Sequence, residues 1–372
     1  MKTETFKKIT PVYDPWEAYM DVDQYGKLSL TNIEFTTTTI CNMRCEHCAV
    51  GYTLQPKDPD ALPIDLLIKR LDEVPTLRSI SITGGEPMLS KKSLTHYVLP
   101  LLQYAHSRGV RTQINSNLTL DLERYHQIAP YLDVLHISHN WGTVDDFVEG
   151  GFARMERKPT IEQRKALFDR MIENSRALSE SGVLVSAETM LNKRTLPHLE
   201  HIHHQIVEEM KCGRHEVHPM YPSDFASSLE VLSLEEIRSA IHRILEIRDE
   251  HTWMLFGTLP FYPCSSNEED LQLLKKLYNS KNVTLRNDPD GRSRLNVNIF
   301  TGDVIVTDFG DTPALGNVQT DSLLDVYNKW MNTSLAKSLN CHCPSVRCLG
   351  PNVLVKNSYY PDINFQQRRS KI

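Results

Sequence analysis

Short apolar runs alternate with amphipathic stretches along the first 222 residues of the chain. Strand-like runs lie at 33–39, 79–82, 110–115, 133–138, 183–188 and 215–220. The segments between them repeat apolar residues at helical spacing, as in Ile64, Leu67, Ile68 and Leu71. Strands that alternate with helices predict a parallel α/β sheet. Six such units are too few to close an eight-stranded barrel, so we expect a partial barrel or an open doubly wound sheet.

Local signals predict several helix ends. TIEQ at 160–163 and SLEE at 233–236 are capping boxes, in which side chains satisfy the free amides of a first helical turn. Pro100 is expected to kink or split the helix that Gly109 ends. We therefore expect one long helix from 160 to Gly182 and another from 233 to about residue 250.

The pattern changes after residue 222. LNVNIFTGDVIV indicates a β-hairpin around Gly302, and SLLDVYNKWMNTSLAKSL indicates a helix that leads to CHCPSVRC. These elements predict a second, smaller α+β domain. The predicted divisions are an N-terminal extension (1–29), a partial barrel (30–222), a bridging helical segment (223–260), a C-terminal domain (261–350) and a tail (351–372).

Composition narrows the class of protein. The net charge of −6 is spread along the chain without a basic stripe, so we expect no nucleic-acid partner. The N-terminus lacks the apolar run of a signal peptide, and no stretch approaches the roughly 18 apolar residues of a membrane span. Six of the eight cysteines fall in two tight groups, which indicates metal binding more than disulfides. These features predict a cytoplasmic protein without a membrane partner.

Three cysteines follow the first predicted strand closely, at Cys41, Cys45 and Cys48. A structural zinc site is closed by four ligands, and His47 is a poor fourth ligand because adjacent residues rarely reach one tetrahedral ion without strain. Three thiolates suit a cuboidal iron–sulfur cluster that keeps one iron open. An open coordination position on a metal indicates a catalytic site.

The second predicted strand runs into Thr83, Gly84, Gly85, Glu86 and Pro87. Paired glycines let the backbone approach a ligand closely, although they also occur in ordinary βα turns. CxxxCxxC after the first strand and GGEP after the second form a far more specific pair. In these motifs the chain resembles the radical S-adenosylmethionine (SAM) enzymes, over roughly residues 30–222.

The resemblance implies a fold and a set of cofactors. It implies a partial (β/α)6 TIM-like barrel, a [4Fe-4S] cluster on Cys41, Cys45 and Cys48, and SAM chelated to the unique iron. One electron then splits SAM into methionine and a 5′-deoxyadenosyl radical, which abstracts a hydrogen atom from the substrate. His47 stands where the family usually has an aromatic residue near the adenine. An electron donor such as flavodoxin or ferredoxin is the implied partner.

Softer matches lie at the ends of later strands. Asn117 in INSNLTL, Ser138 in HISHNWG and Glu188 in SAETMLNK stand where the family contacts SAM or faces the cavity, while Asn140 replaces a common Asp. Asn and Ser are also frequent in βα turns, so a purely local role stays open. The predicted SAM-binding residues are His47, Thr83, Gly84, Gly85, Glu86, Asn117, Ser138 and Glu188.

The second cysteine group consists of Cys341, Cys343 and Cys348. A structural zinc site with one further ligand is the alternative here. The hairpin and helix before this group resemble the SPASM or twitch-type extension of radical SAM enzymes, and CxCxxxxC is the spacing of the YfkAB-like subgroup. That resemblance implies one auxiliary [4Fe-4S] cluster. We expect Cys264, in FYPCSS at the entry to the second domain, as its fourth ligand. Thr307 stands where the extension usually has a cysteine, so its seven-cysteine pattern is absent.

These features predict a radical SAM enzyme whose substrate the sequence does not identify. Enzymes with this type of extension often act on a peptide or protein side chain, which is the leading expectation. A small-molecule substrate is the alternative. A non-catalytic iron–sulfur or zinc protein that senses redox state or carries electrons is the alternative from another class, but such a protein would not need GGEP.

Overall fold

The computed structural model describes residues 7–308, 312–339, 341, 343 and 346–368. Its strands are β1 (Asn32–Thr36), β2 (Ser79–Thr83), β3 (Arg111–Asn115), β4 (Val134–Ser138), β5 (Leu184–Leu191), β6 (Arg214–Pro219), β7 (Trp253–Gly257), β8 (Val283–Arg286), β9 (Arg294–Asn298), β10 (Asp303–Ile305) and β11 (Gly316–Asn317). They form one sheet in the order β11-β10-β9-β1-β2-β3-β4-β5-β6-β7-β8. The run from β9 through β1 to β8 is parallel, whereas β10 and β11 are antiparallel to their neighbours.

Helices cover the sheet and connect its strands. They are α1 (Tyr19–Tyr25), α2 (Ile64–Asp72), α3 (Lys91–Ser93), α4 (Leu99–Ser107), α5 (Leu122–His126), α6 (Val144–Gly150), α7 (Ile161–Glu180), α8 (Leu199–His204), α9 (Leu234–Ile247), α10 (Glu268–Asn279), α11 (Leu323–Met331), α12 (Ser334–Leu339), α13 (Val353–Tyr359) and α14 (Phe365–Arg368). In the described part of the chain, none of these helices has both the length and the apolar character needed to cross a bilayer.

The helix-end predictions agree with the structure. Both capping boxes form, at the start of α7 and of α9. In each, the hydroxyl of the first residue accepts from the backbone amide of the fourth, and the side chain of the fourth accepts from the backbone amide of the first. A π-helical turn, Leu94–Val98, runs into α4, whose second residue is Pro100, so the irregularity lies where the sequence predicted a kink.

The predicted partial barrel is confirmed, and its parallel strands extend further than the sequence indicated. All six predicted strands are present as β1–β6. β7 and β8 then continue the parallel order beyond residue 222, and β7 lies inside the predicted bridging helical segment, after α9. The helix prediction for 223–260 was therefore incomplete. All five residues of β7 are buried, and a short apolar run does not distinguish a buried strand from a helix.

The N-terminal extension closes the barrel at the amino ends of its strands. Trp16 is 2% exposed, and its indole Nε1 donates to Ser81 Oγ of β2 at 3.0 Å. Its ring packs in one apolar cluster with Val134, Trp253 and Leu255. Burying an aromatic side chain stabilises the fold by about 2–3 kcal/mol. This apolar cluster covers the amino ends of β4 and β7, and a cavity lies at the carboxyl ends of the strands.

Candidate active site

A cavity of about 330 Å³ lies at the carboxyl ends of the parallel strands. Its walls include ten of the predicted site residues, namely Cys41, Cys45, His47, Cys48, Thr83, Gly84, Gly85, Asn117, Ser138 and Glu188. These residues come from the loops after β1, β2 and β3, from the last residues of β2 and β4, and from the middle of β5. Ligands of parallel α/β folds bind at this edge of the sheet. The individual roles of these residues stay predictions.

Polar contacts fix the loop that carries the first three cysteines. The Asp58 carboxylate accepts hydrogen bonds from Thr38 Oγ1 at 2.9 Å and from the Thr39 amide at 2.7 Å, directly after β1. Arg44 donates to the carbonyl oxygen of Cys41 at 2.9 Å. The backbone is thus held by neighbouring side chains, and the three thiols form no disulfide and face the cavity.

The chemistry of these thiols fits an iron–sulfur cluster. Burial, reinforced by nearby acidic groups, raises the pKa of Cys41 to about 12, of Cys48 to about 11 and of Cys45 well above its ordinary value. Thiolates here therefore need a cationic group beside them, which iron supplies. Three thiols on one cavity wall suit a cluster with one unligated iron. Among the described residues, no three His, Cys, Asp or Glu side chains converge as they would around a single ion.

The two glycines after β2 let two loops lie in direct contact. A Cβ atom at Gly84 would stand 2.3 Å from the Thr38 carbonyl oxygen, and one at Gly85 would stand 2.2 Å from the Ile40 carbonyl oxygen. Gly84 also has a φ of +131°, which L side chains rarely adopt. The Gly85 amide donates to Thr38 O at 2.9 Å. The paired glycines thus join the loop after β2 to the cysteine loop at the cavity wall.

Glu86 lies behind this wall and has no exposed surface. Its carboxylate accepts from the Ser116 hydroxyl at 2.9 Å, from the Met88 amide at 3.1 Å and from the Asn117 amide at 2.7 Å. Burial raises the pKa of Glu86 to about 7, against the effect of these hydrogen bonds. In this arrangement Glu86 positions the loops after β2 and β3, and its contact with SAM stays a prediction.

We expect Glu86→Gln to lower the stability of the protein. The glutamine side chain has the same size, but an NH2 group replaces one of the two accepting oxygens of the carboxylate. That NH2 group would face a buried donor, and both would lose their hydrogen bond. An unsatisfied buried polar group costs about 1–3 kcal/mol, which urea unfolding of the variant would measure. Glu123→Gln is the matched control on exposed α5 surface and should change the unfolding free energy by less than about 0.5 kcal/mol. Equal unfolding midpoints for the two variants would contradict the positioning role.

Asn140 and Trp141 hold His47 at the cavity, and the sequence analysis did not assign them this function. Asn140 Oδ1 accepts from the Met190 amide at 2.6 Å, so its Nδ2 is the group that donates to His47 Nε2 at 3.2 Å. The Trp141 ring centroid lies 5.0 Å from that of His47. Burial lowers the pKa of His47 to about 4, which keeps the imidazole neutral. The ring is therefore fixed as a neutral, flat surface.

The interior of the barrel, called the lumen below, contains a network of charged side chains around Glu216. Arg286 contacts its carboxylate at 3.1 Å, His218 at 3.5 Å and His136 at 3.8 Å, and Arg214 pairs with it as well. Burial opposes ionisation, yet the two arginines hold the pKa of Glu216 well below its ordinary range. Glu216 is therefore ionised, and the two arginines balance its charge.

Sequence reasoning missed this network, although a signal for it exists. In HEVHP, Glu216 and His218 are two residues apart, so both side chains point to the same face of β6. Polar residues at every second position of a buried parallel strand indicate a lumen that is not filled by apolar packing. Glu188, which was predicted to face the cavity, stands 3.3 Å from His136 on the neighbouring strand.

The second cysteine group forms a separate pocket. Cys264, Cys341, Cys343 and Cys348 all line it. The Cys343 amide donates to the Cys348 carbonyl at 2.6 Å, and burial together with the other thiols raises the pKa of Cys341 to about 12 and of Cys348 to about 11. The donor set suits iron or zinc. The pocket that these four thiols line measures about 10 Å³.

Comparison with known sequences identifies both parts of the chain. Residues 35–206 match the radical SAM superfamily, and residues 220–370 match the YfkB-like domain. The YfkA protein of Bacillus subtilis (strain 168) is 76% identical over 365 residues, which is 98% of this chain and 98% of that protein. A probable GTP 3′,8-cyclase of Archaeoglobus fulgidus is 28% identical over 125 residues, 29% of this chain and 42% of that protein.

Solved structures share the fold. SuiB of Streptococcus suis, bound to S-adenosylmethionine, aligns with a TM-score of 0.61 and 18% identity over 90% of this chain and 76% of its own. The protein anSMEcpe, with bound AdoMet and Cp18Cys peptide, aligns with a TM-score of 0.58 and 13% identity over 92% of this chain and 94% of its own. The predicted family is thus confirmed: the chain is a radical SAM enzyme, belonging to the superfamily that uses a [4Fe-4S] cluster and SAM, and it carries a YfkB-like C-terminal domain.

Proposed function

We propose that this enzyme abstracts a hydrogen atom from a peptide or protein side chain. When bound, the cluster and SAM supply the chemistry: one electron splits SAM into methionine and a 5′-deoxyadenosyl radical, which takes the hydrogen atom. The observation that carries the proposal is the cavity of about 330 Å³, which extends from the three thiols to residues of the YfkB-like domain, including Asp308 and Leu354.

Each wall of the cavity has a role in this proposal. Cys41, Cys45 and Cys48 would hold the cluster, and the exposed backbone at Gly84 and Gly85 would contact SAM. His47 would lie against the adenine. In this arrangement the residues would orient the reacting groups.

Two structural relatives support a peptide substrate. SuiB has also been solved bound to the precursor peptide SuiA, and this chain aligns with that complex at a TM-score of 0.59 over 90% of its length. The anSMEcpe structure contains a peptide as well. In our chain the cavity is shared between the barrel and the C-terminal domain, which would let one side chain of a longer molecule enter between them.

Two further components belong to the proposal. Cys264, Cys341, Cys343 and Cys348 would hold an auxiliary [4Fe-4S] cluster, because four thiols line one pocket. A flavodoxin or ferredoxin would supply the electron. The pocket of the auxiliary site is lined by residues of the YfkB-like domain, and none of its four thiols lines the cavity of about 330 Å³.

Isotope transfer tests the proposal directly. The reconstituted, dithionite-reduced enzyme is incubated under anaerobic conditions with SAM and peptides digested from a deuterated bacterial proteome. We expect 5′-deoxyadenosine that carries one deuterium, detected by mass spectrometry. Deuterium transfer only from a deuterated small-molecule extract would support the small-molecule alternative instead. Absence of any 5′-deoxyadenosine would contradict the enzyme assignment of this site.

A further inference from the structure

One side of the cavity collects more acidic than basic side chains. Glu34 of β1, Asp290 before β9 and Asp308 after β10 all line it. Arg294 contacts Asp290 at 2.6 Å and Glu34 at 3.5 Å. In the ranges that the structure describes, no lysine or arginine forms an ion pair with Asp308. Burial, together with repulsion between carboxylates, raises the pKa of Asp290 and of Asp308 to about 6. Three carboxylates against the single arginine that contacts two of them give this side of the cavity an excess of acidic groups.

Asn296 gives an independent indication that a hydrogen-bond donor is missing here. It is 2% exposed and lies on β9 directly opposite Glu34 on β1, so both side chains point to the lumen face of the sheet. Its amide nitrogen donates to Glu34 Oε1 at 3.3 Å and also lies beside Asp308. Its amide oxygen has no partner among the described residues. A buried acceptor of this kind needs an explanation, and a ligand with N–H groups supplies one.

The opposite side of the lumen differs in charge. There Glu216 is matched by two arginines and lies near two histidines. Its carboxylate therefore has no excess charge to offer to a ligand. Among the described residues, the Asn296 amide oxygen lacks a partner on the side formed by β1, β9 and the loops next to β9 and β10.

We propose that Glu34, Asp290 and Asp308 form a subsite for a cationic group of the substrate, a protonated amine or guanidinium as a lysine or arginine side chain carries. The N–H groups of the ligand would donate to the Asn296 amide oxygen and to the carboxylates, and its charge would offset their excess. This inference rests on the proposed function and narrows it, since it selects basic residues among the possible peptide side chains.

Binding of three matched probes tests the subsite. Nα-acetyl-lysine methylamide, the arginine analogue and the uncharged norleucine analogue are titrated calorimetrically into the reconstituted, SAM-bound enzyme at low salt. We expect at least one basic probe to bind at least about tenfold more tightly than norleucine, a difference of about 1.4 kcal/mol. The tighter of the two basic probes identifies the cation. Asp308→Asn and Glu34→Gln should each remove most of this preference.

Asp362→Asn is the matched control, because it removes the same charge from an exposed position of the C-terminal domain outside the cavity. It should retain the preference. Equal affinities for all three probes, no detectable binding of either basic probe, or a preference that survives in both cavity variants would overturn the subsite. SAM cleavage in the same preparations tests the proposed function separately: cleavage without cation preference rejects only the subsite, and cation preference without cleavage rejects only the function.

Discussion

Cys45→Ala should abolish SAM cleavage. The thiol is one of three on the loop after β1, all on the same cavity wall. Two remaining thiolates cannot hold three irons of a cuboidal cluster, so we expect the variant to lose about four iron atoms per chain. Formation of 5′-deoxyadenosine should fall below detection after anaerobic reconstitution with dithionite and SAM, while a urea unfolding curve reports whether the variant is folded.

Cys212→Ala is the matched control for this variant. Cys212 is also a buried thiol, at 6% exposure, but it lies in the apolar core beside Ser175 Oγ at 3.4 Å and lines neither of the two cysteine pockets. It should keep the iron content and the 5′-deoxyadenosine yield of the parent enzyme. The assignment of the cluster to the first cysteine group fails if Cys45→Ala cleaves SAM normally, or if the control loses as much iron.

Cys343→Ala should separate the two metal sites. Its thiol lines only the second pocket, so the SAM-binding cluster should remain. We expect slow uncoupled formation of 5′-deoxyadenosine to persist, whereas deuterium transfer from labelled peptides should be lost. Iron and zinc counts per chain identify the second metal: a loss of about four iron atoms indicates a cluster, and a loss of one zinc indicates a structural ion.

Cys264→Ala tests the proposed fourth ligand in the same assay. Cys264 reaches the pocket from a different segment of the chain than the other three cysteines. If it is a ligand, its variant should lose the same metal as Cys343→Ala. Full metal content in Cys264→Ala would show that three cysteines suffice and that a fourth position is open. Deuterium transfer at the parent rate in Cys343→Ala would mean that the second site is dispensable for the reaction.

Features that depend on neighbouring residues could be predicted from the sequence. Thr160 and Gln163 lie three positions apart, and the capping box they form is a local interaction. The same applies to the cysteine spacing and to the paired glycines after β2. The strand β7 was missed because distant segments cover both of its faces: Trp253 and Leu255 pack with Trp16, and its other face packs against α9 and α10.

Contacts between distant segments could not be predicted in this way. Asn296 and Glu34 meet across 262 residues of sequence, and only the pairing of β9 with β1 brings them together. Glu86 illustrates a subtler difference. The GGEP motif that contains it is visible in the sequence. Its hydrogen bonds to two loop amides and a hydroxyl depend on how the loops after β2 and β3 pack, which the motif does not specify.

Because Trp16 packs against late strands, the amino end of the barrel can form only when both halves of the polypeptide are present. Its partners Trp253 and Leu255 are synthesised more than two hundred residues later, so this end of the barrel can be sealed only once β7 has joined the sheet. A shortened protein that ends near residue 222 would lack those partners and leave this end open to solvent. Completion of this end of the barrel therefore requires the early and late segments of the chain to have folded together.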